Sequence, residues 1–187
     1  MQLNIVPART GLNWARQGIR TFWRQPLALS GLFFLFMAVV SLVSIVPLLG
    51  GALALVLLPA LTLGMMAATE VAEDQRFPMP GLLFAALKSG PQRKAMLQLG
   101  AWYAVAFLLI MGISALVDGG TFAQVYLTGA NMSPEVVNSA SFQAALWVSM
   151  VLYIPLAMMF WHAPALVHWQ GVSPVKSLFF SFVACAR

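Results

Sequence analysis

From residue 26 to residue 69 the chain runs for 44 residues without one Asp, Glu, Lys or Arg. As a single helix at about 1.5 Å per residue it would reach about 66 Å, twice a hydrocarbon core of about 30 Å. The run must therefore fold back on itself. Pro47-Leu48-Leu49-Gly50-Gly51 supplies the break, because proline interrupts a helix and two glycines free the chain to turn. Spans are predicted at 26–46 and 51–69, joined by a tight turn. A third is predicted at 95–117, between Arg93-Lys94 and Asp118-Gly119-Gly120. A fourth, at 141–167, is long and interrupted by Pro155 and Pro164, which with Pro47 are the kink candidates.

Composition leads to the same class. Of the 187 residues, 61% are hydrophobic and 8% are charged, whereas a soluble domain carries roughly 25% charged residues. Too little polar surface exists to enclose a water-soluble core, and disorder would need the opposite balance. The expected fold class is an all-α integral membrane protein with four transmembrane helices in two hairpins. The formal charge of +5 comes from cations that flank the apolar runs. They form no patch interleaved with aromatics, so no nucleic-acid partner is expected. A single cysteine, Cys185, excludes an intrachain disulfide framework.

The loops assign an orientation. Arg9, Arg16, Arg20 and Arg24 precede the first span, and Arg76, Lys88, Arg93 and Lys94 lie between the second and third. Lys176 and Arg187 follow the fourth, while the two opposite connections contain no Lys or Arg. By the positive-inside rule both termini are expected in the cytoplasm and the 118–140 loop outside. Gly51-Ala52-Leu53-Ala54 has the small residues of a signal-peptidase site. The apolar segment before it nevertheless exceeds the usual stretch of about 7–15 residues, and another span follows at once, so a retained anchor is expected.

Three segments read as helices lying on the membrane. Thr10 is placed to cap the first, which runs to about Arg24 before Pro26 starts the next helix. Leu12, Ala15, Ile19, Phe22 and Trp23 fall within one arc of about 100°, with Arg16, Arg20 and Arg24 every four residues on its flank. Such a helix sinks its apolar face and holds arginines among anionic headgroups. Trp14 falls outside the arc. A second element runs from Pro80 through Leu82, Leu83, Phe84 and Leu87 to Ser89-Gly90-Pro91. The third has Ser173 as cap, Pro174 at its first position and an apolar stripe of Val175, Leu178, Phe179, Phe182, Val183 and Ala186, with Phe180 misplaced.

The organisation is thus an interfacial helix (1–25), a hairpin (26–69), a basic loop with a short surface helix (70–94), a second hairpin (95–167) and an amphipathic helix (168–187). Surface helix and hairpin alternate as a repeated unit by architecture. Because the last surface helix stops at Arg187 without a cap, a further hairpin is expected to follow it.

Four stretches carry a resemblance: Met1-Gln2-Leu3-Asn4-Ile5-Val6-Pro7-Ala8-Arg9, Gly18-Ile19-Arg20-Thr21-Phe22-Trp23-Arg24-Gln25-Pro26, Arg76-Phe77-Pro78-Met79-Pro80 and Phe160-Trp161-His162-Ala163-Pro164-Ala165-Leu166-Val167. Across its length the chain resembles an uncharacterised family of proteobacterial polytopic inner-membrane proteins. The resemblance implies further spans after residues 177–187. It brings no activity and no site residues.

The chemistry-bearing residues are sparse. The first three spans hold no ionisable Asp, Glu, Lys, Arg or His, the usual markers of ion pathways. Asp118 reads as a solvated helix end. His162 and His168, beside Trp161 and Trp169, stand six apart rather than at the i, i+4 spacing of paired metal ligands, and read as part of an aromatic belt. Glu70, Glu73 and Asp74 read as a solvated loop balancing Arg76. No H-E-x-x-H, G-x-S-x-G, paired intramembrane aspartates or Walker loop occurs. Neither enzyme activity nor a cofactor or metal is expected. Asn131-Met132-Ser133 matches a glycosylation sequon but is accidental in a bacterial inner membrane.

Ala60, Gly64 and Ala68 repeat every four residues on the second span, and Gly100 and Ala104 begin a similar line on the third. Small residues at this spacing let helix backbones approach, within the chain by default or in a homo-oligomer or membrane-protein complex. Two function classes follow. One is non-enzymatic organisation of lipids or membrane partners through the basic surface helices, with Arg16, Arg20, Arg24 and Trp23 on anionic headgroups. The other is a facilitator for a small neutral or amphipathic solute, lined by the kinked fourth span with Ser41, Ser44, Gln98 and Ser149.

Overall fold

The computed structural model describes residues 7–47, 49–88 and 90–186. Within them the chain forms nine α-helices and one 3-10 segment, with no strand. Leu48 of the predicted turn, Ser89 of the predicted stop, Arg187 and residues 1–6 lie outside the described residues.

Helix α1 (Ala8–Arg24) is followed by α2 (Pro26–Ser44) and α3 (Gly50–Glu73). Pro80–Leu87 is the 3-10 segment, and α4 is Pro91–Asp118. The connection beyond α4 folds into α5 (Thr121–Thr128) and α6 (Pro134–Val137), neither of which the hydropathy pattern announced. Helices α7 (Ala140–Trp161), α8 (Ala163–Gln170) and α9 (Pro174–Ala186) complete the chain. Four helical stretches are long and apolar enough to cross a membrane: Pro26–Ser44, Gly50–Glu73, Gln92–Asp118 and Ala140–Gln170. The all-α membrane fold is that of the sequence reading, with shifted boundaries. Helix α3 continues past Thr69 to take in Glu70 and Glu73, and α4 begins early enough to include Arg93 and Lys94.

Helix α3 is the centre of the bundle. It packs on α2 through Leu29, Leu32, Ala68 and Ala72. At the end that carries the Lys and Arg residues, Ala60 and Leu63 join Ala86, Met96, Leu99, Ala163 and Val167 from the 3-10 segment, α4 and α8. A third cluster, Phe107, Ile110, Met111 and Leu156, holds α4 to α7. Large apolar side chains such as Leu27, Phe34, Leu116 and Val151 point outward, as they must where the solvent is lipid.

The predicted small-residue positions fall in three settings. A methyl group on Gly100 would run into the Val56 carbonyl oxygen, so α3 and α4 touch backbone to backbone, with Ala104 buried one turn on. A methyl group on Gly64 would meet the Leu83 backbone, so its partner is the 3-10 segment rather than another span. Ala60 and Ala68 are buried on either side of it.

That contact corrects the second surface helix. The segment is 3-10 with a non-helical Phe84, and its Leu83 is wholly buried against α3. It sits in the bundle because Gly64 leaves no side chain in the way. The third predicted surface helix turns part of its apolar stripe, Val175, Phe179 and Phe182, outward, while its opposite face, with Ser177 and Ser181, is fully buried in the bundle. The three elements are therefore not equivalent, and the apparent repeat is one of spacing alone.

The kink candidates differ as well. Pro47 lies in the α2–α3 turn, where its carbonyl accepts from the Leu49 amide. Helix α7 runs through Pro155 without interruption. The fourth span breaks at His162, two residues before Pro164. There the His162 amide donates to the Ser181 hydroxyl at 3.0 Å, and that hydroxyl donates to the Met158 carbonyl at 2.7 Å. His162 and Met158 are an i, i−4 pair. Ser181 of α9 is inserted into the hydrogen-bond ladder of the span, a recognised cause of a sharp bend.

Candidate functional site

The Lys- and Arg-rich end of the bundle holds the densest polar cluster. Helix α1 starts at Ala8 with Pro7 rather than Thr10 at its cap. Gln25 breaks the helix with φ −141° and ψ 60°, and Pro26 then begins α2. The break turns α1 back over the ends of α2 and α3, where three hydrogen bonds hold it. Arg24 Nη1 donates to the Glu73 carbonyl at 3.0 Å, Gln25 Nε2 to the Arg76 carbonyl at 2.9 Å, and Gln17 Nε2 to the Glu73 carboxylate. The last carbonyls of a helix lack intrahelical partners and carry partial negative charge, so a guanidinium suits this position. Arg24 is thus a structural cap for α3 as well as a member of the basic stripe.

Thr21, only 6% exposed, is packed most deeply among the described side chains of α1. Two grooves open on either side of the Gln17–Thr21 contact line. One, of about 630 Å³, is walled by Trp14, Gly18 and Phe22 of α1, Phe33 and Phe34 of α2 and Met65 of α3. The other, of about 340 Å³, is lined by Asn13, Arg16, Arg20 and Arg24. Gln17, Thr21 and Glu73 border both. Trp14, the outlier of the apolar arc, belongs to the first groove. Leu12, Ile19 and Trp23 remain exposed on the outward arc.

Of the acidic loop residues, Asp74 pairs with Arg76 at 2.9 Å, with both side chains largely exposed. Such a pair contributes little. Asp118 is not free at its helix end: its two carboxylate oxygens accept from the Gly120 amide at 2.9 Å and the Phe122 amide at 2.6 Å. It caps α5 across Gly119 and Gly120, whose φ values of 72° and 93° suit glycine.

Residues proposed to line a solute path do not converge. Ser41 and Ser44 are exposed near the end of α2 and Gln98 is exposed on α4, and Ser44 donates to the Val40 carbonyl of its own helix. Ser149 does line a cavity of about 410 Å³ with Phe107, Phe122, Tyr126 and Tyr153, although its hydroxyl donates to Ala145. An aromatic cluster the sequence reading missed lies beside it. Tyr103 of α4 and Tyr153 of α7 approach to 3.4 Å between hydroxyls, and Phe160 stands edge-on to Tyr103. Trp161 and Trp169 are exposed, and His162 Nδ1 lies 3.6 Å from Cys185 Sγ. Among the described residues no three His, Cys, Asp or Glu side chains gather into a metal site.

A protein of Burkholderia thailandensis named as a probable inner membrane protein is 42% identical to this chain over 191 residues. The alignment takes in 100% of the chain and 71% of the relative. The chain belongs to this inner-membrane protein family. No protein-family model and no solved structure matches it. Membership accounts for the four apolar spans and makes the chain a multi-pass inner-membrane protein.

Proposed function

We propose that this inner-membrane protein acts without catalysis, organising anionic lipid through its N-terminal helix. Both termini lie in the cytoplasm in this reading, which rests on the absence of Lys and Arg from the two connections at the opposite end. The observation that carries the proposal is the setting of α1. It is tied to α3 by Arg24 and Gln17, presents Leu12, Ile19 and Trp23 outward, and lines a groove with Arg16, Arg20 and Arg24. A helix so mounted meets acyl chains with one arc and phosphates with the next. The scatter of Ser41, Ser44 and Gln98 favours this reading over a solute facilitator.

Each arginine near an anionic surface contributes on the order of 1 kcal/mol, so the stripe supplies about 3 kcal/mol. Spin labels along residues 12–23 should sit deeper in phosphatidylglycerol-containing bilayers than in phosphatidylcholine alone. Salt should reduce the difference. Replacing all three arginines with Gln keeps helix propensity and should abolish it. Equal depth in both bilayers, unmoved by the triple substitution, would mean that apolar burial alone seats the helix.

A further inference from the structure

The two grooves beside α1 differ in chemistry but share a wall. We infer that together they form a binding site for one anionic phospholipid molecule, its phosphate in the arginine groove and an acyl chain in the aromatic one. This rests on the lipid-organising reading and deepens it, from attraction to a charged surface to a site for a single molecule.

Three guanidinium groups and one carboxylate, Glu73, line the polar groove, leaving a formal +2. Arg24 has one donor committed to the Glu73 carbonyl, and Gln17 holds the Glu73 carboxylate on the dividing line. Arg16 and Arg20 form no ion pair among the described residues, where Arg76–Asp74 is the pair formed. Planar guanidinium forks suit phosphate oxygens, and two of them one turn apart can clasp one phosphate.

The neighbouring groove is lined mainly by apolar side chains, among them Trp14, Phe22, Leu29, Phe33, Phe34 and Met65. Its α2 wall belongs to the first membrane span, so the groove opens where acyl chains are. A free phosphate would leave it empty, and a zwitterionic lipid would not use the net charge. Only an amphiphile with an anionic head satisfies both halves. Gly18 keeps the groove open: a Cβ there meets nothing within 4 Å, so a larger side chain would project into vacant space without straining the backbone.

The test uses the whole chain in detergent micelles, with native mass spectrometry counting lipid adducts. Phosphatidylglycerol should bind as one saturable adduct per chain, about thirtyfold tighter than phosphatidylcholine, as two uncommitted arginines would provide. Arg16→Gln with Arg20→Gln should bring the two lipids to near parity. Gly18→Phe, which changes no charge, should displace both.

Equal binding of the two lipids by the native chain, or an adduct indifferent to Gly18→Phe, would overturn the site. So would displacement of the adduct by millimolar inorganic phosphate, or a dimer of the chain that Gly18→Phe disrupts. The spin-label depth measurement separates the two levels. Depth that depends on anionic lipid without a saturable adduct sinks the single-molecule site and leaves the broader reading standing. Loss of both sinks both. Gly18→Phe also replaces a helix-interior glycine, so helical circular dichroism should be retained or rise and will separate a blocked groove from an unfolded chain.

Discussion

Ser181→Ala removes a buried hydroxyl that is inserted into the hydrogen-bond ladder of a membrane span. The native hydroxyl is wholly buried, accepts from the His162 amide and donates to the Met158 carbonyl. Two outcomes bracket the cost of deleting it. If the broken ladder cannot close, two backbone groups are orphaned, at about 1–3 kcal/mol each. If His162 and Met158 rejoin directly, the loss approaches the about 0.6 kcal/mol typical of interhelical hydrogen bonds in membranes.

Pro164 decides between them. In an unbroken helix its ring would clash with the carbonyl four residues back, that of Phe160, so it favours the bent span. Closure is obstructed but two residues removed, so we expect about 2 kcal/mol, roughly a thirtyfold change in the folding equilibrium. Reversible unfolding of the chain in mixed micelles, followed by helical circular dichroism, reads this out. Ser177→Ala is the control: that serine is as buried, but its hydroxyl donates to Pro174 of its own helix, so about 0.5 kcal/mol is expected. In a Pro164→Ala background the Ser181→Ala cost should fall toward the lower bound, because the ladder can then close. Equal costs for the two serines, unaltered by Pro164→Ala, would refute the inserted-hydroxyl argument.

Three further outcomes can be measured on the same protein. Gly100→Ala forces a methyl into the Val56 carbonyl and should cost about 1–3 kcal/mol, seen as a lower thermal aggregation temperature. Gly112→Ala on the same helix meets nothing within 4 Å and should gain up to about 1 kcal/mol from helix propensity. Cysteines at positions 121–138 should react with an impermeant reagent in intact cells, and those at 72–94 only after permeabilisation. External labelling beside Lys88 would reverse the proposed orientation.

The four spans were legible because lipid imposes one requirement, a long apolar helix, which hydropathy alone reports. Their ends were not. Glu70 and Glu73 extend α3 because its last turn is finished by partners from elsewhere in the chain, including Arg24, and no local pattern records them. The 3-10 segment misled for a related reason. Leu82, Leu83, Phe84 and Leu87 are apolar whether they meet lipid or protein, and only the empty side of Gly64 selects protein. In α9 the apolar stripe was legible, but nothing local marks the serine face as buried, because Ser181 is fixed by a span about twenty residues earlier in the chain.

The α1 region follows the same logic one level higher. Arg16, Arg20 and Arg24 were visible as a stripe, since spacing alone defines it. Their division of labour was not, because Arg24 is distinguished by a carbonyl 49 residues away in the chain. Trp14 appeared to be an error in an otherwise regular arc. It is one only if α1 meets a flat membrane on a single face. The turn at Gln25 brings Phe33, Phe34 and Met65 alongside, and a residue on the arc facing them then requires an apolar side chain of its own. An outlier from one amphipathic face therefore marks a second face, and on α1 that second face opens the groove that adjoins the arginines.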